Sequence, residues 1–125
     1  IAQYYKVKYQ PDKMAAAYQE AIAHYKSVAE KYRNTPMSYI VSMLAAKCYV
    51  AIKDWQGAVN SLNTIITDYK GKVDLQEALI TSALVYAKEL KDKVKAKQML
   101  EALIKDYPRG KLLKPAKELL KELSK

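Results

Sequence analysis

The sequence predicts an all-α fold of antiparallel helical hairpins, stacked one on the next, and three observations predict it. Only three glycines and four prolines interrupt 125 residues of otherwise helix-compatible sequence. Half of the residues are apolar, enough for the core of one domain over 1–125, which excludes a disordered or collagen-like chain. The breaks also recur evenly, each after a tyrosine: Tyr32, Tyr69 and Tyr107 lie 37 and then 38 residues apart.

Those tyrosines close three segments that superpose: "YQEAIAHYKSVAEKY" from Tyr18, "WQGAVNSLNTIITDY" from Trp55 and "KVKAKQMLEALIKDY" from Lys93. Each carries alanine at its fourth position (Ala21, Ala58, Ala96), then Tyr25, Leu62 or Leu100, then Val28, Ile65 or Leu103, then the tyrosine. Steps of four, three and four place these side chains on one face of a helix. The alanines admit a neighbouring helix and the larger residues fill the layer between. Two helices of another type lie between them, "PMSYIVSMLAAKCYVAI" and "LQEALITSALVYAKEL", in which Ala46 and Tyr49 match Ala83 and Tyr86. Neither type buries its apolar face alone, and stacking neighbours solves that problem.

Element by element, Ile1–Tyr9 reads as a partial helix of an earlier hairpin that Pro11 ends or redirects. Hairpins are then expected over 1–32 (partial or irregular), 36–69 and 75–107. Thr35 is placed to cap the second hairpin, with Pro36 at the first helical position. Asp74 with Glu77 resembles a capping box for the third. Asp54 and Asp92 are placed to cap the second-type helices. Gly71 and Gly110 are expected to take left-handed geometry after helix ends, and Pro108 stops the helix ending at Tyr107. Residues 111–125 read as a terminal helix covering the last layer, with Leu112, Leu113, Ala116, Leu119, Leu120 and Leu123 inward and its lysines outward.

At these residues the sequence resembles the tetratricopeptide repeat (TPR). "DWQGA" (Asp54–Ala58) is similar to that family's entry to its second helix, Ala46 and Tyr49 to the small residue and aromatic of its first, and "DYP" (Asp106–Pro108) to its closing turn. The resemblance covers about Tyr18 to Leu123 and implies a right-handed solenoid of about three repeats with a C-terminal capping helix. The period exceeds the family's 34 residues, so longer hairpin loops are expected. Within the family, "YRNTPMSY" and "YPRGKLLKPAKEL" resemble the proline-flanked junctions of bacterial cell-envelope repeat proteins, such as the Tol–Pal coordinator and the outer-membrane-assembly lipoprotein. Arg33 replaces the first proline of that junction, "YKGKVDLQEAL" lacks both, and Ala45–Ala46 stands where leucine-glycine is common.

The resemblance implies a binding surface on the concave side, lined by the first-type helices. By carry-over, Ile40, Met43, Lys47 and Val50 face it in one repeat, and Glu77, Ile80, Leu84 and Lys88 in the next. Such an apolar lining either packs against other parts of this chain or a second copy, or accepts a partner's helix or extended peptide, with Lys47 and Lys88 drawing acidic groups. It lacks the asparagine–lysine arrangement that clamps a C-terminal carboxylate. The expectation is a non-enzymatic protein–protein scaffold in the periplasm or otherwise envelope-associated, with the cytoplasm as the alternative compartment.

Charge gives the competing reading. Twenty-two Lys plus Arg against thirteen Asp plus Glu leaves +9, and from Lys88 to Lys125 twelve basic residues face six acidic ones. Such a surface suits anionic lipid or nucleic acid, or is a lysine-rich solvated face, the more so because only two of the basic residues are arginine. Catalysis finds little support. His24 is the lone histidine and Cys48 the lone cysteine, Cys48 reading as a small buried hydrophobe. Glu118 and Glu122 lie at helical spacing among lysines. No phosphate loop or Cys/His ligand spacing occurs, so no cofactor, metal or small-molecule substrate is expected. The chain starts at Ile1 without a methionine and is read as a mature or excised fragment, with further repeats before it.

Overall fold

The computed structural model describes residues 11–125, and every described element is helical. In chain order they are α1 (Pro11–Lys31), α2 (Pro36–Ala51), α3 (Trp55–Asp68), α4 (Gln76–Leu84), which runs on as a π-helical turn (Val85–Glu89), α5 (Lys93–Asp106) and α6 (Leu113–Leu123). The helix expected over Ile1–Tyr9 lies outside the described residues, and Pro11 opens α1. The chain forms two compact units, residues 1–61 and 62–125, with the boundary inside α3.

In the first unit α1 packs on α2. Thr35 caps α2 as expected: its Oγ1 accepts the Ser38 N–H at 3.2 Å and Pro36 fills the first helical position. Ser38, only 3% exposed, donates its hydroxyl to the Ala29 carbonyl at 2.9 Å, which ties α2 to the end of α1. Expectation and structure part on α1. Ala21, Tyr25 and Val28 are half-buried and Tyr32 is 46% exposed, whereas Ile22 is buried. One residue further on is roughly 100° round the helix, and that is the face α1 turns inward. At the α2–α3 corner the Asp54 N–H donates to the Tyr49 carbonyl at 2.9 Å, and the Asp54 carboxylate accepts the Gly57 N–H at 3.0 Å. A Cβ on Gly57 would overlap both the Asp54 carboxylate and the Tyr49 ring, so the corner requires glycine there.

The second unit keeps the expected facing. Leu62 and Ile65 on the last turns of α3 and Tyr69 just after it are buried, as are Ala96, Leu100 and Leu103 on α5. α4 packs on α5, and α5 on α6. Asp92 caps α5 by accepting the Lys95 N–H at 3.0 Å. Its own N–H donates to the Tyr86 carbonyl at 2.8 Å, the same closure that Asp54 makes to Tyr49. Five residues separate Tyr49 from Asp54 and six separate Tyr86 from Asp92. The extra residue that lengthens the period from 37 to 38 is therefore taken up in the π turn.

Two further expectations are corrected here. The N-cap of α4 is Leu75, with no side-chain cap, and Asp74 instead accepts the backbone N–H of Gln76 at 3.0 Å together with the Gln76 amide. Asp74 lies one residue too early for a capping box, so it forms a local turn. Gly71 is left-handed at φ +76°, but Gly110 is not among the positive-φ residues. Gly110 is needed for space, because a Cβ there would overlap the Gln76 carboxamide. That carboxamide reaches α6, its Oε1 accepting the Leu112 N–H at 3.1 Å. Ala116 of α6 is wholly buried, Leu112, Leu113, Leu119, Leu120 and Leu123 are half-buried, and Lys114, Lys117 and Lys121 point to solvent.

Candidate functional site

The first-type helices α2 and α4 each divide between an inward and an outward face. On α2 the buried residues are Ser38, Val41, Met43, Ala45 and Ala46. The outward row is Met37 (52% exposed), Ile40 (53%), Leu44 (37%) and Lys47, spaced three, four and three. The accessible face is thus rotated by roughly 60° from the expected row of Ile40, Met43, Lys47 and Val50. Ile40 and Lys47 lie on it. Val50 is half-buried, and Met43, at 7% exposure, belongs to the core, a correction to its assignment as a groove residue. Met37 and Leu44 were missed. Following the three–four spacing back from Lys47 to the N-cap would have found them.

On α4 and its π turn, Glu77, Leu84 and Lys88 are exposed and Ile80 is half-buried. Ala78, Leu79, Ser82 and Ala83 point inward. The apolar outward surface here is narrower than on α2, since Glu77 and Thr81 occupy the positions matching Ile40 and Leu44. Tyr86 turns inward and its hydroxyl accepts the Asn63 side-chain N–H at 2.9 Å, while the Lys95 ammonium sits over its ring, 5.7 Å from the centroid.

The residues considered for catalysis do not converge. His24 is exposed on α1 beside the Tyr25 ring. Cys48 is half-buried on α2, and burial pushes its thiol above the ordinary value, the opposite of what a nucleophile needs. Among the described residues no cluster of three or more His, Cys, Asp or Glu could hold a metal ion, and no described helix is long and apolar enough to cross a membrane. An open hollow of about 640 Å³ in the second unit is floored by Leu75, Leu79 and Tyr107. Lys70, Lys72, Asp74 and Asp106 mix both signs of charge around it, and it selects no ligand class.

Paired helices carrying a small residue and an aromatic on the first, and an aspartate-capped second, define a helical repeat protein. The tetratricopeptide repeat model matches residues 41–71 and 77–110, just over half of the chain, and the chain belongs to that family. No curated protein and no solved structure matches it.

Proposed function

We propose that this chain is a non-enzymatic interaction scaffold that holds a partner's helix or extended peptide against the outward face of one of its first-type helices. Tetratricopeptide repeats generally mediate protein–protein interaction. The observation that carries the reading is the row of Met37, Ile40 and Leu44, three large apolar side chains left accessible on a helix whose opposite face is core. Covering the exposed half of one such side chain contributes roughly 1 kcal/mol, so a partner segment that covers the whole row gains useful affinity from it. Lys47 and Lys88 favour a partner bearing acidic groups. An envelope role is the finer part of the proposal. It is supported by the proline-flanked junctions, in which Thr35 caps α2 ahead of Pro36 and Pro115 stands in the first turn of α6.

Affinity capture from fractionated cells tests both parts, with wild type and an Ile40→Glu/Leu84→Glu variant as parallel baits. A protein held by wild type and lost by the variant, with helicity unchanged, is the expected result, and its fraction of origin gives the compartment. Full partner affinity in the folded variant would overturn the scaffold reading. A partner drawn from the cytosolic fraction would overturn the envelope part alone.

A further inference from the structure

The three second-type helices act as internal controls for one another, and one position breaks their agreement. The second residue of the aligned segments is Gln19 in the first copy, Gln56 in the second and Val94 in the third. Both glutamines are exposed, Gln19 within α1 and Gln56 at the start of α3. Val94 is more exposed than any other large apolar residue among those described, at 67%. The residue before it changes in the opposite sense: Tyr18 and Trp55 are half-buried, and their counterpart Lys93 is exposed. The third copy has therefore exchanged an aromatic-then-polar pair for a cationic-then-apolar one.

The surroundings are basic. Lys88, Lys91, Lys93, Lys95 and Lys97 stand within ten residues against Glu89 and Asp92, and the Asp92 carboxylate is engaged in capping α5. Lys91 holds the turn at φ 55°, while Lys88, Lys91, Lys93 and Lys95 are all exposed. An exposed valine flanked in sequence by exposed lysines suits a surface that is anionic outside and hydrocarbon just beneath. Nucleic acid is the poorer fit. The corner offers no arginine for bidentate phosphate contact and no aromatic, and Tyr86 just before it is buried under Lys95 instead of open to stack a base.

We propose that the α4–α5 corner, Lys88–Lys97, is a contact site for an anionic membrane surface. Val94 enters the headgroup boundary, and Lys91 and Lys93 meet lipid phosphate and carboxylate groups. Lys88 is shared with the scaffold reading, but Val94, Lys91 and Lys93, which carry the contact, are not, so the proposal does not depend on that reading.

Vesicle co-sedimentation of the whole chain tests it, using phosphatidylcholine vesicles with and without phosphatidylserine at low and at physiological salt. Binding is expected only with phosphatidylserine and is weakened by salt. Val94→Gln, which installs the residue of the other two copies, lowers the partition coefficient roughly tenfold. Lys91→Gln/Lys93→Gln lowers it about 25-fold, roughly fivefold for each charge. Gln56→Ala at the matching corner leaves it unchanged. The proposal is overturned by absent binding at low salt, by equal binding to neutral vesicles, or by binding that Val94→Gln leaves intact. Duplex DNA or RNA that binds more tightly than the vesicles and ignores Val94→Gln also overturns it.

Discussion

The side-chain oxygen of Gln76 accepts the backbone N–H of Leu112 at 3.1 Å, joining the start of α4 to the start of α6 across 36 residues of chain. Gln76 is 7% exposed and its amide nitrogen is held by Asp74, so the whole carboxamide is committed. Gly110 leaves it the space. Gln76→Leu is expected to cost about 1–3 kcal/mol by stranding the Leu112 N–H, and Gly110→Ala about 1–3 kcal/mol by overpacking. The Gln76→Ala/Gly110→Ala double variant loses less than the sum of its singles, because alanine at 76 vacates the space that the new Cβ needs. Chemical denaturation of wild type, Gln76→Ala, Gly110→Ala and the double variant measures this, and strict additivity would count against the clamp.

Ser82 supplies a prediction of opposite sign. It is wholly buried on α4 and its hydroxyl has no hydrogen-bond partner. The matching residue of α2 is Ala45, also buried. Ser82→Ala removes a desolvated polar group at little loss of packing, and is expected to stabilise by roughly 1 kcal/mol. A lower denaturation midpoint for the variant would refute the assignment.

Left-handed residues mark the connections flanking α2 and both ends of the α4–π segment: Asn34 at φ 65°, Lys53 at 61°, Gly71 at 76° and Lys91 at 55°. Lysine bears a steric cost in this region that glycine does not. Lys53→Gly and Lys91→Gly are each expected to raise stability by about 0.5–1 kcal/mol, and Gly71→Ala to lower it by about 1 kcal/mol. Thermal melts of the three variants decide. A fall for either lysine substitution would mean that its side chain holds something the turn requires.

Cys48 gives a pH prediction. Burial disfavours its thiolate, so the folded thiol titrates above the unfolded one. Stability is then unaffected while the thiol is protonated and falls as pH rises from the unfolded value through the folded one. Native Cys48 should react more slowly with a disulfide reagent than the denatured chain does, with a rate profile displaced to higher pH. Equal native and denatured rates near neutrality would contradict the assigned environment.

The two faces of α2 separate stability from binding. Met43→Glu buries a charge in the core and is expected to cost about 3 kcal/mol or more. Ile40→Glu lies on the outward row and should change stability by under about 0.5 kcal/mol. Circular-dichroism melts compare them, and similar losses would place Ile40 in the core as well.

The contrast also shows how much the sequence disclosed. Helix type, caps at Thr35, Asp54 and Asp92, and the stop at Pro108 are local decisions, made by residues within a turn of one another, and they were legible. The facing of α1 was not, because choosing Ile22 over Ala21 depends on how α2 lies against it. Gly110 was read as a conformational glycine, since the side chain that crowds it belongs to Gln76, far away in sequence. Met43 and Leu44 are adjacent and both apolar; only the packed helix tells which one is core.

The π turn bears on the history of the chain. One residue added inside an α-helix turns everything after it by roughly 100°, which would carry a following cap and its helix off their partners. Here Asp92 still meets the Tyr86 carbonyl as Asp54 meets that of Tyr49. The surplus is confined to a single widened turn, so an in-frame codon gained at this point leaves the downstream helix in phase. Repeat copies of unequal length can then diverge by insertion without each having to reinvent the corner that follows.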